Sequence, residues 1–257
     1  MMKADDITVV TGGASGIGAA CCQLLGARGG KVVVLDRDGD RAKDLAGEIG
    51  GYGCVGDVGV QASLEEAASR IEKDFGAVTG LVNSAGILQR PVSPEELSME
   101  SYDDVVAVNQ RGTYLASRIF ARAMIGRGRG AIVNIASVAG MRSMPLHSYS
   151  PTKAAVISMT ACLAAEWGPS GIRVNAVSPG FTLTPALQAE VDAGRRDLSL
   201  AEAQAALGRL VRPDEIAQAV AFLLSQEASA ITGANLPVDC GWLAGTSWAT
   251  HGGVRRA

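Results

Sequence analysis

The stretch "ITVVTGGASGIG", residues 7–18, decides how this chain is read. It starts as a short β-branched run of strand character and ends in glycine. From Gly16 onward the apolar residues of "GIGAACCQLLGARG" (16–29) recur at helical spacing. A buried strand that turns through glycines straight into a helix opens a βα unit, and the rhythm repeats. Strands are predicted at "KVVVLDR" (31–37), "YGCVGDV" (52–58), "VTGLVNSAG" (78–86), "GAIVNIAS" (130–137), "GIRVNAVSPG" (171–180) and "ANLPVDCG" (234–241). Helices are predicted between them, at 40–49, 63–76, 99–126, 149–167 and 213–225. Ser63, with Glu66 three residues on, has capping-box spacing for the second of these.

Strands alternating with helices of ten or more residues imply βαβ units. The expected fold is therefore α/β: a single doubly wound, Rossmann-type domain over residues 1–257, its seven-stranded parallel sheet covered by helices on both faces. No composition shift marks a boundary. One excursion, 184–212, lacks a strand and reads either as a substrate lid or as a plain surface helix pair.

Composition narrows the function classes. Hydrophobic residues make up 47% of the 257, enough for a substantial core, and net charge is −3, which offers nothing to nucleic acid. The five cysteines (Cys21, Cys22, Cys54, Cys162, Cys240) form no C-x-x-C pair, so reduced thiols in a cytoplasmic setting are expected, with no metal site. "MMKADDITVV" lacks a signal-peptide pattern, and no segment reaches the roughly 20 apolar residues that would span a bilayer.

Glycines at 12, 16 and 18 allow a tight turn and close approach of a diphosphate to a helix N-terminus. The spacing is G-x-x-x-G-x-G, which does not match the commoner dinucleotide fingerprint literally. Position supports the reading, with Asp36 ending the second strand about 20 residues later, where a carboxylate would bind adenosine ribose hydroxyls and repel a 2′-phosphate. Ser15 stands in the loop where a base would have welcomed that phosphate, so NAD is expected over NADP, with Arg37 as a counterweight.

At "TGGASGIG", "NSAG" (83–86), Ser137, "YSPTK" (149–153) and "SPGFTLT" (178–184), the chain resembles the short-chain dehydrogenase/reductase family in its compact form, from about residue 5 to 241. The resemblance implies a cofactor site made of Gly12, Ser15, Gly16, Ile17, Gly18, Asp36 and Arg37, with Asp57 and Val58 at the adenine. It further implies that Asn83, Ala85 and Gly86 shape the cleft, and that Pro179, Gly180, Thr182 and Thr184 grip the nicotinamide amide and diphosphate. Ser137, Tyr149 and Lys153 match the family's catalytic triad, and Asn109 its water-holding asparagine. A homotetramer and a small alcohol or ketone substrate are implied as well. Four departures stand out: Ser84 for a second asparagine, a loop 138–148 one residue short, Pro151 inside "YSPTK", and Cys240 in place of a glycine.

Oxidising an alcohol removes a proton from oxygen as hydride leaves carbon. A phenol near pKa 10 is a poor base unless a cation stabilises its anion. Residues four apart share a helix face, so Lys153 is expected beside Tyr149, lowering its pKa and holding the nicotinamide ribose. Ser137 would then bond the substrate oxygen. Pro151 is tolerable if this is the first helical turn.

"SPGFTLTP" and its surroundings look like sugar-alcohol and sugar dehydrogenases of the family, which points to a polyol or sugar; a hydroxy-steroid, hydroxyacyl thioester or small diketone stays open. The competing class is a cofactor-binding regulator of the same fold that has lost activity, against which all three triad residues are present. His147 reads as substrate-facing or solvated, Gln89 and Arg90 as pocket-lining or surface, and the basic "GRGRG" (126–130) as a helix end. Trp242 and Trp248 in the tail 242–257 are expected to pack on a neighbouring subunit or close over the substrate. The helices 99–126 and 149–167, apolar nearly all round, would suit a subunit interface.

Overall fold

Every predicted strand forms, and all seven join one parallel sheet: β1 (Ile7–Thr11), β2 (Lys31–Asp36), β3 (Tyr52–Val55), β4 (Val78–Asn83), β5 (Gly130–Ile135), β6 (Ile172–Pro179) and β7 (Asn235–Val238), in the order β3-β2-β1-β4-β5-β6-β7. The computed structural model describes residues 7–255. Met1–Asp6, part of the stretch read as lacking a signal peptide, and Arg256–Ala257, the end of the tail, lie outside the described residues.

Neighbouring strand residues point to opposite faces, and both faces are apolar, so the strands read as unbroken hydrophobic runs. Val9, Val33, Leu81 and Ile132 meet α3 (Gln61–Asp74), α5 (Thr113–Arg127) and α6 (Tyr149–Trp167) on one side. Val10, Val34, Val82 and Val133 meet α1 (Gly16–Ala27), α2 (Gly39–Ile49) and α9 (Pro213–Leu224) on the other. Strand order reverses at β1 and β4, whose ends open the crevice where doubly wound sheets bind ligands.

One local reading is corrected and two gain detail. Helix α3 starts at Gln61 after Val60, two residues before the expected cap, and Ser63 Oγ instead accepts a hydrogen bond from the Asp57 N–H at 3.0 Å. The 99–126 helix is continuous to Arg127 but changes pitch: α4 (Met99–Val105) passes through a π-helical segment, Val106–Gly112, into α5. Such wide turns re-aim side chains, and this one carries Asn109. The excursion 184–212 folds as α7 (Pro185–Asp192) and α8 (Ser199–Gln204) around its own small cluster of Leu198, Ala201 and Leu210, with Phe181 and Leu187 packed against it.

Trp242 opens α10 (Trp242–Gly245) and packs edge-on against Phe181, 5.4 Å between ring centres, so its covering is intramolecular; Trp248 is 53% exposed. Cys240, the departure from glycine, sits at φ 52°, and among the described residues it is the one non-glycine in the left-handed region. No helix of the described residues is long and apolar enough to cross a membrane.

Candidate active site

A cleft of about 350 Å³ runs along the strand ends from Asp36 to Tyr149. Its floor at one end is the turn from β1 into α1. Gly12 holds φ +63° with its Cα so close to the loop after β4 that a Cβ would lie 2.6 Å from the Ala85 Cα. A Cβ on Gly18 would collide with the Gly12 carbonyl, so these two glycines close the turn on itself. Gly16, at φ +54°, faces open space, with Thr184 Cγ2 the nearest atom at 3.6 Å.

The helix that follows carries no acid in its first turn, and Ser15 at its N-cap makes no side-chain cap bond. Its orphan N–H groups and a free hydroxyl therefore face the cleft, which is the donor set a diphosphate requires. Asp36 accepts from Ala14 N–H and Asp38 N–H, 3.1 Å each, which fixes its carboxylate at the cleft wall beside Arg37. Asp57, Val58, Ala85, Gly86, Ile17 and Thr184 also line the cleft, with Ser84. These residues fit a nicotinamide dinucleotide, because the concave glycine floor, the helix N-terminus and the strand-end carboxylate lie in that order along one groove.

Not every expected cofactor residue reaches the groove. Asn83 is buried beneath it and donates to Ser117 Oγ and Asn134 Oδ1 at 2.8 Å each, while Asn134 donates on to Thr160 Oγ1 at 2.9 Å. Its work is to lock β4 to β5, α5 and α6. Pro179 ends β6, Gly180 packs on the Asp239 backbone, and Thr182 bonds the Gly180 carbonyl at 3.0 Å. Of that segment only Thr184 lines the cleft, and its Oγ1 also caps α7 by accepting from Leu187 N–H at 3.3 Å.

At the far end the triad residues converge. Tyr149 is the first residue of α6, so Pro151 falls in the first turn, where its missing N–H costs nothing. Lys153, one turn on and 5% exposed, donates to the Ile135 carbonyl at 2.8 Å and lies 5.5 Å from the Tyr149 ring centre. Ser137, at the end of β5, is hydrogen-bonded to the Tyr149 side chain and accepts from Ala139 N–H at 3.1 Å.

Electrostatics differ from the sequence reading. Burial pushes the Lys153 ammonium down to about 8, and burial raises the Tyr149 phenol, with the Ser137 hydrogen bond opposing it. Burial is thus the largest influence on the phenol in this structure. Asn109, fully buried, binds the Ile87 peptide both ways: Oδ1 accepts from its N–H at 2.8 Å and Nδ2 donates to its carbonyl at 2.9 Å. Its amide therefore holds the loop after β4.

Two residues support the site through bonds that the sequence reading did not assign to them. Thr11 Oγ1 accepts from Ser84 N–H and Ala85 N–H at 3.2 and 3.3 Å, tying the two strand ends together. Gln89 is buried, and its amide oxygen accepts from Ser148 and Tyr149. Thr11 opens "TGGASGIG" and Gln89 reads from the sequence as pocket-lining or surface, yet no local pattern gives either its bonding role. His147 is exposed.

Comparison with known proteins agrees with this geometry. A family profile described as enoyl-(acyl carrier protein) reductase matches residues 12–243. D-threitol dehydrogenase of Mycolicibacterium smegmatis is 38% identical over 92% of each chain. Galactitol 2-dehydrogenase of Rhizobium johnstonii is 40% identical over 93% of this chain and 95% of its own. NAD-dependent glycerol dehydrogenase of Listeria innocua is 38% identical over 93% and 94%. Among solved structures, one described as ribose-5-phosphate isomerase from Brucella melitensis 16M superposes with a TM-score of 0.94 at 52% identity, covering 98% of this chain and 97% of that one. A gluconate 5-dehydrogenase from Burkholderia cenocepacia, in complex with NADP and tartrate, gives 0.87 at 30% identity over 93% and 95%.

Proposed function

This chain belongs to the short-chain dehydrogenase/reductase family, and on that premise we propose that it interconverts a secondary alcohol and a ketone with NAD(H), its substrate a polyol or sugar. The observation that carries this reading is the convergence of Ser137, Tyr149 and Lys153 at one end of a groove whose other end presents a glycine-floored helix N-terminus and Asp36. When bound, the nicotinamide supplies the acceptor or donor of hydride. Ser137 would hold the substrate oxygen, and Tyr149 would take the hydroxyl proton as the general base, returning it in reduction. Lys153 would hold the ribose and stabilise the phenolate once a second positive charge adjoins it.

Asp36 supports NAD, since a carboxylate fixed by two backbone N–H groups stands where a 2′-phosphate would have to sit. The dehydrogenases of threitol, galactitol and glycerol among its relatives support a polyol. A homotetramer is supported by the exposed Tyr114 and Ile125 on α5 and the small exposed residues Ala154, Ser158 and Ala161 on neighbouring α6. Five unbridged cysteines suit a reducing cytoplasm.

The test is nicotinamide reduction at mildly alkaline pH, with NAD and NADP side by side, over polyols, sugars, hydroxy acids and secondary alcohols, alongside Tyr149→Phe. Turnover with NAD that Tyr149→Phe reduces by about a thousandfold or more is the expected result. Preference for NADP would overturn the reading of Asp36. Ribose 5-phosphate belongs on the panel because of the relative described as its isomerase, and its conversion without any nicotinamide would overturn the dehydrogenase reading.

A further inference from the structure

The first turn of a helix is its least secured part, because its N–H groups have no partners within the helix. Tyr149 stands in that turn, so whatever pins the turn pins the phenol. The local sequence does little of it. Ser148 at the N-cap makes no side-chain cap bond, Pro151 brings no donor, and Ser150 Oγ is buried without a partner. The missing acceptor comes from 59 residues away, in the loop after β4.

Gln89, 3% exposed, places its amide oxygen against three donors: Ser148 N–H at 2.7 Å, Ser148 Oγ at 3.0 Å and Tyr149 N–H at 3.4 Å. Its amide nitrogen donates to the Arg90 carbonyl at 3.2 Å, which fixes which way the oxygen faces. The loop carrying Gln89 is itself tied at both ends, by Thr11 to Ser84 and Ala85 and by Asn109 to Ile87. The wall of the groove beside Gly86 and the first turn of α6 are thereby held as one piece.

We propose that Gln89 is a positioning residue that sets Tyr149 for proton transfer by capping α6 with an uncharged oxygen. This rests on the reading of Tyr149 as the general acid/base. The choice of amide over carboxylate follows from the chemistry: both would cap the helix, but a carboxylate would set a negative charge against the backbone of the residue whose phenol has to become negative. The charged group facing the Tyr149 ring is Lys153, and the hydrogen-bonding partner of its hydroxyl is Ser137. An amide cap leaves that pair to set the titration.

Gln89→Met removes the cap at similar length, and Gln89→Glu keeps an acceptor while adding charge. With galactitol or D-threitol and NAD, Gln89→Met is expected to lower kcat about tenfold to a hundredfold with NADH affinity little changed, and to lose some melting temperature because three buried donors are left unpaired. Gln89→Glu is expected to recover kcat at high pH while the alkaline-rising limb moves up by about half a unit to one unit. Phenolate difference absorbance, wild type minus Tyr149→Phe, reads the same shift in the absence of turnover. A merely structural cap would lose NADH affinity together with kcat and leave the phenolate titration in Gln89→Glu where it was; that pattern, or wild-type kcat in Gln89→Met, would overturn the proposal. Retained turnover in Tyr149→Phe would instead overturn the proposed function, so the two failures are distinct.

Discussion

Two loops leave neighbouring strand ends and face each other across the cleft: 11–18 after β1 and 84–90 after β4. The first is shaped mainly by glycines that leave no room for a Cβ, Gly18 against the Gly12 carbonyl and Gly12 against the Ala85 backbone. The second is shaped from outside, by Thr11, Asn109 and the start of α6. Both build the same groove. A loop that must admit a diphosphate against its backbone has to give up side chains, whereas one that must aim a catalytic helix is held by hydrogen bonds from the elements it aligns.

That contrast can be broken by substitution. The largest effect is expected from Gly12→Val, which meets both a left-handed φ and the Ala85 backbone; a loss of about 3 kcal/mol or more and no NADH binding should appear in urea denaturation and fluorescence titration. Asn109→Leu removes both bonds to the Ile87 peptide and should cost about 2–3 kcal/mol, with kcat reduced more than NADH affinity. Tolerance of the first with collapse of the second would reverse the contrast.

Lys153 lies where the two systems meet, 3.7 Å from where a Cβ on Gly86 would sit. Its pKa falls from 10.5 unfolded to about 8 folded, so below pH 8 the native state carries a buried ammonium at a cost. Between about 8 and 10.5 the unfolded chain binds more protons than the native one, and stability rises with pH. Lys153→Met should abolish turnover, stabilise the apo protein by about 1–2 kcal/mol at neutral pH and flatten that rise, all visible in melting curves across pH. The smallest effect is expected from Thr11→Val, about 1 kcal/mol through the loss of an acceptor shared by two loop N–H groups. A cost of that size would confine the outside support largely to Asn109 and Gln89.

The parallel sheet and the placing of Gly12, Asp36, Tyr149 and Lys153 were legible in the sequence because each depends on spacing along the chain. Periods of two and 3.6 mark strands and helices, a glycine turn between them marks a ligand-facing strand end, and residues four apart share a helix face. Even Pro151 agreed, since the helix begins at Tyr149. Ser63 misled because its capping-box spacing was genuine while its hydroxyl had a better partner in the Asp57 N–H.

Only the tertiary structure decided which residues hold the site in place. Gln89 and Tyr149 are 60 positions apart, Thr11 and Ser84 are 73, and no local pattern links either pair. Asn83 turned out to brace the sheet instead of lining the groove, because strand neighbours offered it partners that sequence order does not reveal. The direction of the Tyr149 shift was hidden for the same reason. A lysine four residues away can be counted in the sequence, but the water that folding removes from the phenol cannot, and that desolvation raises the phenol.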